Sequence, residues 1–269
     1  MSDNHLYYGS ESADKKIHIV IPTSYSKDAV LSDIKNRKLI PSIWCLDKMN
    51  FNNELFVDVE IIWENKDGLS TVYNRVLEDS VKDELKKDDF VIFMHDDIWL
   101  NDVLVFDKIF DISDKLDVIG VCGGKTWTYK NTENGKPIIW TVASAQAGAS
   151  GFMLHGASIS WNPSIHDMDY EKRSFFSSNY GSSPSRTLTI DGSFMCFGRK
   201  AIETLRFDDQ FKFHFYDMDV SFSAYVKGLK VGTAPILLSH NSLGESVAQP
   251  SYMEMQRKFL DKWFVKKNS

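Results

Sequence analysis

The segment that most constrains what this chain can become is Phe90-Val91-Ile92-Phe93-Met94-His95-Asp96-Asp97. An unbroken apolar run leaves no polar face, so it reads as a strand buried on both sides, as in parallel sheets covered by helices. Two carboxylates follow at the carboxyl end of that strand. Charge placed there is expensive to desolvate without a counter-ion. A divalent cation is one natural partner, since hard cations take carboxylate oxygens and bridge diphosphates. An Asp pair capping the next turn is the other reading. Spacing alone leaves both open.

Other segments arrange themselves around this strand. Ile17 to Ile21 is β-branched and closes with Pro22-Thr23, the pattern of a buried strand entering a loop. Lys27 to Arg37 is expected as a helix, and Ile43 to Leu46 and Val59 to Trp63 as the next two strands. Gly68-Leu69-Ser70 opens a helix that carries Val72, Tyr73, Val76 and Leu77 on one face. Val118 to Cys122 is a further strand. Strands alternating with helices predict an α/β fold with a mixed, mostly parallel central sheet and helices on both faces. Ligands of such sheets bind beyond the carboxyl ends of the strands. Chemistry is therefore sought at Pro22-Thr23-Ser24, Glu64-Asn65 and His95-Asp96-Asp97.

Residues 1–16 are polar and read as a flexible leader. From about Gly123 to Arg186 the chain is rich in Gly, Ser, Ala and Asn, which suits irregular β-structure and loops. Capture of a substrate and mere surface decoration are both open for that region. Thr187 to Phe197 and Ile236 to Ser239 are strand-like, and Asp217 to Lys227 is helical. The tail from Ser251 to Phe264 aligns Tyr252, Met255, Gln256, Phe259, Leu260 and Trp263, a helix docked on its own domain rather than a membrane anchor.

Composition removes several classes of function. Lys plus Arg total 31 against 37 for Asp plus Glu, a net charge of −6. That argues against broad binding of a phosphate backbone. No stretch approaches the roughly 18–20 apolar residues of a membrane span. Cys45, Cys122 and Cys196 each stand among apolar neighbours, as buried thiols of a cytoplasmic protein would. Gly123-Gly124-Lys125 lacks the spacing of a phosphate loop, and no Gly-x-Ser-x-Gly, HExxH or CxxC motif is present.

A second acidic cluster, Tyr216-Asp217-Met218-Asp219, opens a helical stretch. One aspartate can cap or brace the helix, which leaves the other as a general base towards a hydroxyl. Asp219 lies deeper in the helix and is expected as the structural one. His240 ends a strand, and its pairing with the two Asp clusters is what raises it above an ordinary structural histidine.

Taken in order, these segments resemble the family 2-like glycosyltransferases of the GT-A fold, in the StrF-like branch of streptomycin-biosynthesis type. Ile17 to Thr23 resembles the first strand and its nucleotide loop, and Asn65 to Ser70 with Tyr73-Asn74 the Gly-containing loop and helix. Phe93 to Asp97 stands in the place of the DxD motif. Ile190-Asp191-Gly192-Ser193-Phe194 resembles the acceptor-side strand, and Arg206 to Asp219 with Gly228 to Gly232 the Glu-Asp helix region. Ser239-His240-Asn241 closes the set.

The resemblance implies a GT-A domain over 17–245, with 124–186 as acceptor-side loops and 246–269 as a C-terminal amphipathic helix. It implies an inverting transfer of one sugar from a UDP-, GDP- or dTDP-sugar to a glycan or other acceptor hydroxyl, a nucleic-acid acceptor being disfavoured. Pro22, Thr23, Asn65, Gly68, Asn74 and Asp96 would contact the donor nucleotide, and Asp191 and Gly192 the sugar or acceptor. Asp97 and His240 would hold Mn2+ or Mg2+, and Asp217 would take the acceptor proton. His95 replaces the first DxD aspartate and Tyr216 replaces a frequent Glu, so metal binding rests more heavily on Asp97. The Gln-x-x-Arg-Trp motif of processive synthases is missing, which favours transfer of a single sugar. A non-catalytic GT-A module that binds a nucleotide or glycan is the alternative, and a metal-dependent phosphohydrolase a weaker third.

Overall fold

The computed structural model describes residues 4–32, 46, 49, 51, 53–82, 89–125, 128–131, 137–140, 149–157, 174–240 and 250–264. Its first half runs β1 (His5–Gly9), β2 (Lys15–Pro22), α1 (Lys27–Ser32), β3 (Leu55–Ile62), α2 (Leu69–Lys82), β4 (Phe90–Met94), β5 (Ile98–Leu100) and α3 (Val105–Ser113). Then come β6 (Val118–Gly120), β7 (Cys122–Gly124), β8 (Thr128–Asn131), β9 (Pro137–Trp140), β10 (Ala149–Ala157), β11 (Ser174–Gly181) and β12 (Ser185–Arg186). The last part holds β13 (Phe194–Gly198), α4 (Arg199–Thr204), α5 (Tyr216–Val226), β14 (Val231–Thr233), β15 (Leu238–His240) and α6 (Pro250–Trp263).

The main sheet has the order β1-β3-β2-β4-β13-β6-β14-β12. Strand β2 is parallel to β3 and β4, and β6 is parallel to β14. Between these sets, β13 lies antiparallel to both β4 and β6, and the edge strands β1 and β12 are antiparallel to their neighbours. The fold is α/β as expected, with β2, β3, β4, β6 and β14 pointing one way. The reversal at β13 was not legible, because Phe194-Met195-Cys196-Phe197 is as uniformly apolar as β4 and such a run carries no direction.

Strand alternation sends side chains to two cores. Ile17, Ile19, Ile21, Val57, Val59, Ile92 and Met94 meet Val105, Phe106, Ile109 and Ile112 of α3. On the other face, Val20, Val91, Phe93, Met195 and Phe197 meet Val72, Tyr73, Val76 and Leu77 of α2, together with α4, α5 and α6. Helices therefore cover both faces.

Several boundaries are corrected. The leader expected over 1–16 contains β1, which pairs with β3 from His5 opposite Glu60 to Gly9 opposite Phe56. Leu6 and Tyr8 pack on the first core while Tyr7 faces out, a period-2 signal too short to stand out in a polar segment. The strand expected at Ile43 to Leu46 lies outside the described residues except for Leu46, which is helical and buried. The end of the helix to Arg37, Cys45, and about half of 124–186 also lie outside them. Val118 to Cys122 divides at Val121 between β6 in the main sheet and β7, which pairs with β10. Of Thr187 to Phe197, only the part from Phe194 is strand.

A second sheet, β11-β10-β15-β5, sits beside the first. Among the described residues no helix is long and apolar enough to cross a membrane. The tail helix α6 docks through the fully buried Phe259 and through Gln256, with Tyr252, Met255, Leu260 and Trp263 packed on the second core. The Phe259→Ala variant is expected to lose about 3–5 kcal/mol of unfolding free energy in denaturant titration, whereas a loss below about 1 kcal/mol would contradict the docking.

Candidate active site

The carboxyl ends of β2 and β3 are laced together by backbone. Thr23 N–H donates to the Ile62 carbonyl at 2.9 Å, and Asn65 N–H donates to the Thr23 carbonyl at 2.8 Å. The buried Thr23 hydroxyl donates to Asp96 Oδ2 at 2.7 Å, so the first loop and the acidic pair after β4 form one wall. Pro22 pairs with Ile62 at the end of the ladder. The Asn65 side chain closes its own turn, accepting from Asp67 N–H at 3.2 Å and donating to the Asp67 carbonyl at 3.1 Å.

Beyond Met94 the ladder with β13 gains one more bond, from His95 N–H to the Ser193 carbonyl at 3.0 Å. After Asp97 the chain leaves the main sheet as β5 and pairs with β15, so that Ile98 stands opposite His240. This change of sheet brings His240 Nε2 to 3.4 Å from Asp97 Oδ1. His95, Asp97 and His240 present ligand atoms that all lie within 4.8 Å of one another. Two imidazoles and a carboxylate make a coherent donor set for a divalent transition ion.

His95 is held from behind. Its Nε2 lies 2.6 Å from the Tyr216 hydroxyl, and that hydroxyl donates to the Gly192 carbonyl at 3.0 Å. With the phenolic proton spent on Gly192, His95 donates from Nε2 and keeps its lone pair on Nδ1. This is the tautomer control that metal-ligating histidines need. Burial, with His240 adding to it, holds the His95 imidazole below its ordinary pKa and favours the neutral form that binds metals.

The same phenol leads to Asp217. Gly192 N–H donates to Asp217 Oδ2 at 2.9 Å. Burial, reinforced by the charge of Asp191, pushes the Asp217 carboxyl up to about 7. Asp191 braces its own loop by accepting Ser193 N–H at 2.9 Å. A Cβ on Gly192 would run into the Tyr216 phenol and come within 2.9 Å of Asp217 Cβ, so the start of α5 lies directly on this loop. Phe215, just before α5, holds φ at 67° in the left-handed region. Its ring is clamped between Tyr252 at 4.9 Å and Phe259 at 5.5 Å, which fixes how Tyr216 and Asp217 enter the site.

Asp219 is the structural partner, 1 % exposed and bonded to Lys262 at 2.9 Å and to Trp263 Nε1 at 2.7 Å. The structure thus joins Thr23 with Asp96, Asp97 with His240, and Asp191 and Gly192 with Asp217. Asn74 and Gly68 make contacts with the segment from Phe207 to Lys212. The Asn74 amide donates to the Phe207 carbonyl at 2.9 Å and accepts Phe207 N–H at 2.8 Å, so its polar atoms staple α2 to that loop. Gly68 is required by close packing, since a Cβ there would stand 2.8 Å from Lys212 Cβ. In the sequence His95 and Tyr216 stand only as departures from the family pattern, with no role of their own. His95 had a usable signal in its place directly after β4, beside Asp96 and Asp97 in the turn before β5.

No family model matches the chain. No curated protein matches it either. Among solved structures it is similar to the protein A197 from STIV, at 12% identity and TM-score 0.39, over 84% of this chain and 82% of that one. It is similar to a mannosyltransferase from Pyrobaculum calidifontis in complex with GDP-Man and Mn2+, at 10% identity and TM-score 0.43, over 94% of this chain and 63% of that one. A third likeness is to 4-diphosphocytidyl-2C-methyl-D-erythritol synthase from Anaerococcus prevotii, at 8% identity and TM-score 0.38, over 92% and 96%. At these TM-scores the likenesses carry no argument about activity.

Replacing Tyr216 by Phe removes the hydroxyl between His95 and Gly192 while keeping the buried ring. Mn2+ affinity, followed by calorimetry, is expected to fall by about tenfold or more. An unchanged affinity would separate Tyr216 from the cation cluster.

Proposed function

We propose that this chain is an inverting glycosyltransferase that moves one sugar from a nucleotide-sugar donor to an acceptor hydroxyl. The observation that carries the proposal is the continuous bonded path from the His95, Asp97 and His240 cluster, through Tyr216 and Gly192, to the Asp217 carboxylate. A cation cradle and a tuned base held in fixed relation are what such a transfer requires. The family resemblance of the sequence supports the same reading.

The residues divide the work as follows. Pro22, Thr23, Asn65 and Asp96 shape the nucleotide end at the carboxyl edge of β2 and β3. His95, Asp97 and His240 hold the ion, and two imidazoles in the donor set favour Mn2+ over the oxygen-seeking Mg2+. When bound, the ion neutralises charge on the departing nucleoside diphosphate. Asp217, oriented by Gly192 N–H at Oδ2, receives the acceptor proton. A carboxylate of ordinary pKa would be a feeble base; at about 7 it is matched to a proton transfer near neutral pH. Asp191 contributes through its charge, which keeps Asp217 basic. The acceptor is a glycan or other hydroxyl compound.

The donor set of two histidines and one carboxylate also suits Fe(II). Elemental analysis of the purified protein distinguishes the two: iron retained in stoichiometric amount through purification would favour an iron site.

Asp217→Asn is expected to cut transfer by about a thousandfold while nucleotide binding is retained, and wild-type turnover would contradict the base assignment and favour a non-catalytic binding module. The pH dependence has a definite sign. The base must be ionised, so kcat/KM falls about tenfold per unit below its pKa and levels off above it. With Asp217 at about 7, the profile should rise through neutrality, and a flat profile from acid to neutral pH would exclude Asp217 as the base.

A further inference from the structure

The run Phe211-Lys212-Phe213-His214-Phe215 leads into α5, and its rings have different fates. Phe211 and Phe215 are buried in the second core, and His214 is 8 % exposed. Phe213 is 59 % exposed. The backbone around it is pinned and cannot simply turn the ring inward. Ser70 Oγ donates to the Phe211 carbonyl, and Leu69 N–H donates to the Lys212 carbonyl at 2.7 Å. Gly68 packs without space against Lys212, His214 Nε2 lies 3.2 Å from Ser251 Oγ, and Phe215 is clamped in its left-handed conformation.

What this rigid segment holds is a phenyl face against the site. The Phe213 ring lies nearly parallel to His95, with centroids 6.4 Å apart and planes 15° apart. His95 belongs to the cation cluster and is bonded to Tyr216, the neighbour of Asp217. A second exposed aromatic, Tyr25, stands beside Thr23, where its N–H donates to Thr23 Oγ1 at 3.3 Å. Tyr25 therefore belongs with the Thr23–Asp96 pair, and Phe213 with the base.

We propose that Phe213 is the platform of an acceptor subsite, stacking on the apolar C–H face of a pyranose ring so that one of its hydroxyls reaches Asp217. The inference rests on the transferase reading and narrows its acceptor to a saccharide. A flat exposed ring on a fixed backbone suits a ligand with one apolar face and many hydroxyls. Asp191 and Asp217 make this side acidic, which selects a neutral sugar over an anionic acceptor such as a nucleic acid.

The test uses the full chain with Mn2+ and a nucleoside diphosphate. The probes are methyl α-glucopyranoside, methyl α-mannopyranoside and methyl α-galactopyranoside, read by saturation-transfer NMR at their ring C–H protons. At least one should give a signal with the wild type. That signal should fall about three- to tenfold in Phe213→Ala and return in Phe213→Trp, while nucleotide affinity stays within about twofold in both. An exposed ring contributes little to folding, so both variants should unfold at the wild-type midpoint. An unchanged pyranoside signal in Phe213→Ala would overturn the subsite, as would the absence of any signal with nucleotide-bound wild type. A loss of nucleotide affinity in place of saccharide affinity would also overturn it, since the ring would then stack on the base. Failure of the wild type to bind any nucleoside diphosphate is a separate result, which would sink the transferase reading and this subsite with it.

Discussion

The bonded path from His95 through the Tyr216 hydroxyl to Gly192 is the constraint on which the rest of the site depends. It sets the His95 tautomer, anchors the start of α5 to the loop between β12 and β13, and, through Gly192 N–H, orients Asp217. The Tyr216–Gly192 bond is buried, where a missing partner would leave an unsatisfied polar atom at a cost of about 1–3 kcal/mol. The absence of a side chain at Gly192 is what allows α5 to come close enough for the path to close. The proposed ion cradle and the proposed base are therefore positioned by one network rather than by two independent ones.

The topology supplies the other half of the arrangement. Had the chain continued past β4 into a helix, Asp97 would have met no histidine. It instead crosses into the second sheet as β5, where pairing with β15 sets His240 beside it. The antiparallel β13 then gives its preceding loop, with Asp191 to Ser193, to the same edge at which β2 and β4 end. A reversed strand between parallel neighbours thus delivers residues of distant sequence to one carboxyl edge.

Much of this was legible in the sequence for simple reasons. Strands β2 and β4 and helices α2, α5 and α6 announce themselves by apolar runs or helical spacing, and Asp219 could be set aside as structural by its depth in α5. Position after a strand is what makes Thr23, Asp96, Asp97 and His240 candidates in the sequence. The failures also have physical causes. Strand β1 is half polar because it is an edge strand, β13 is too apolar to show its direction, and the split of β6 from β7 leaves no mark in an apolar run. The bonds of Asn74 to the Phe207 backbone join segments far apart in sequence, which spacing does not show. His95 looked like a departure from an acidic motif, whereas the fold gives it a ligand's position and a partner that fixes its tautomer.

The central claim is that the His95, Asp97 and His240 cluster binds a cation that in turn holds a nucleoside diphosphate. Calorimetric titration of the full chain with UDP, GDP, dTDP and CMP, with and without Mn2+, measures this directly when repeated on Asp97→Ala. The account predicts that one nucleotide binds only when Mn2+ is present and that this binding disappears in the variant. Binding to none of them under either condition, or binding that neither Mn2+ nor the loss of Asp97 affects, would contradict it.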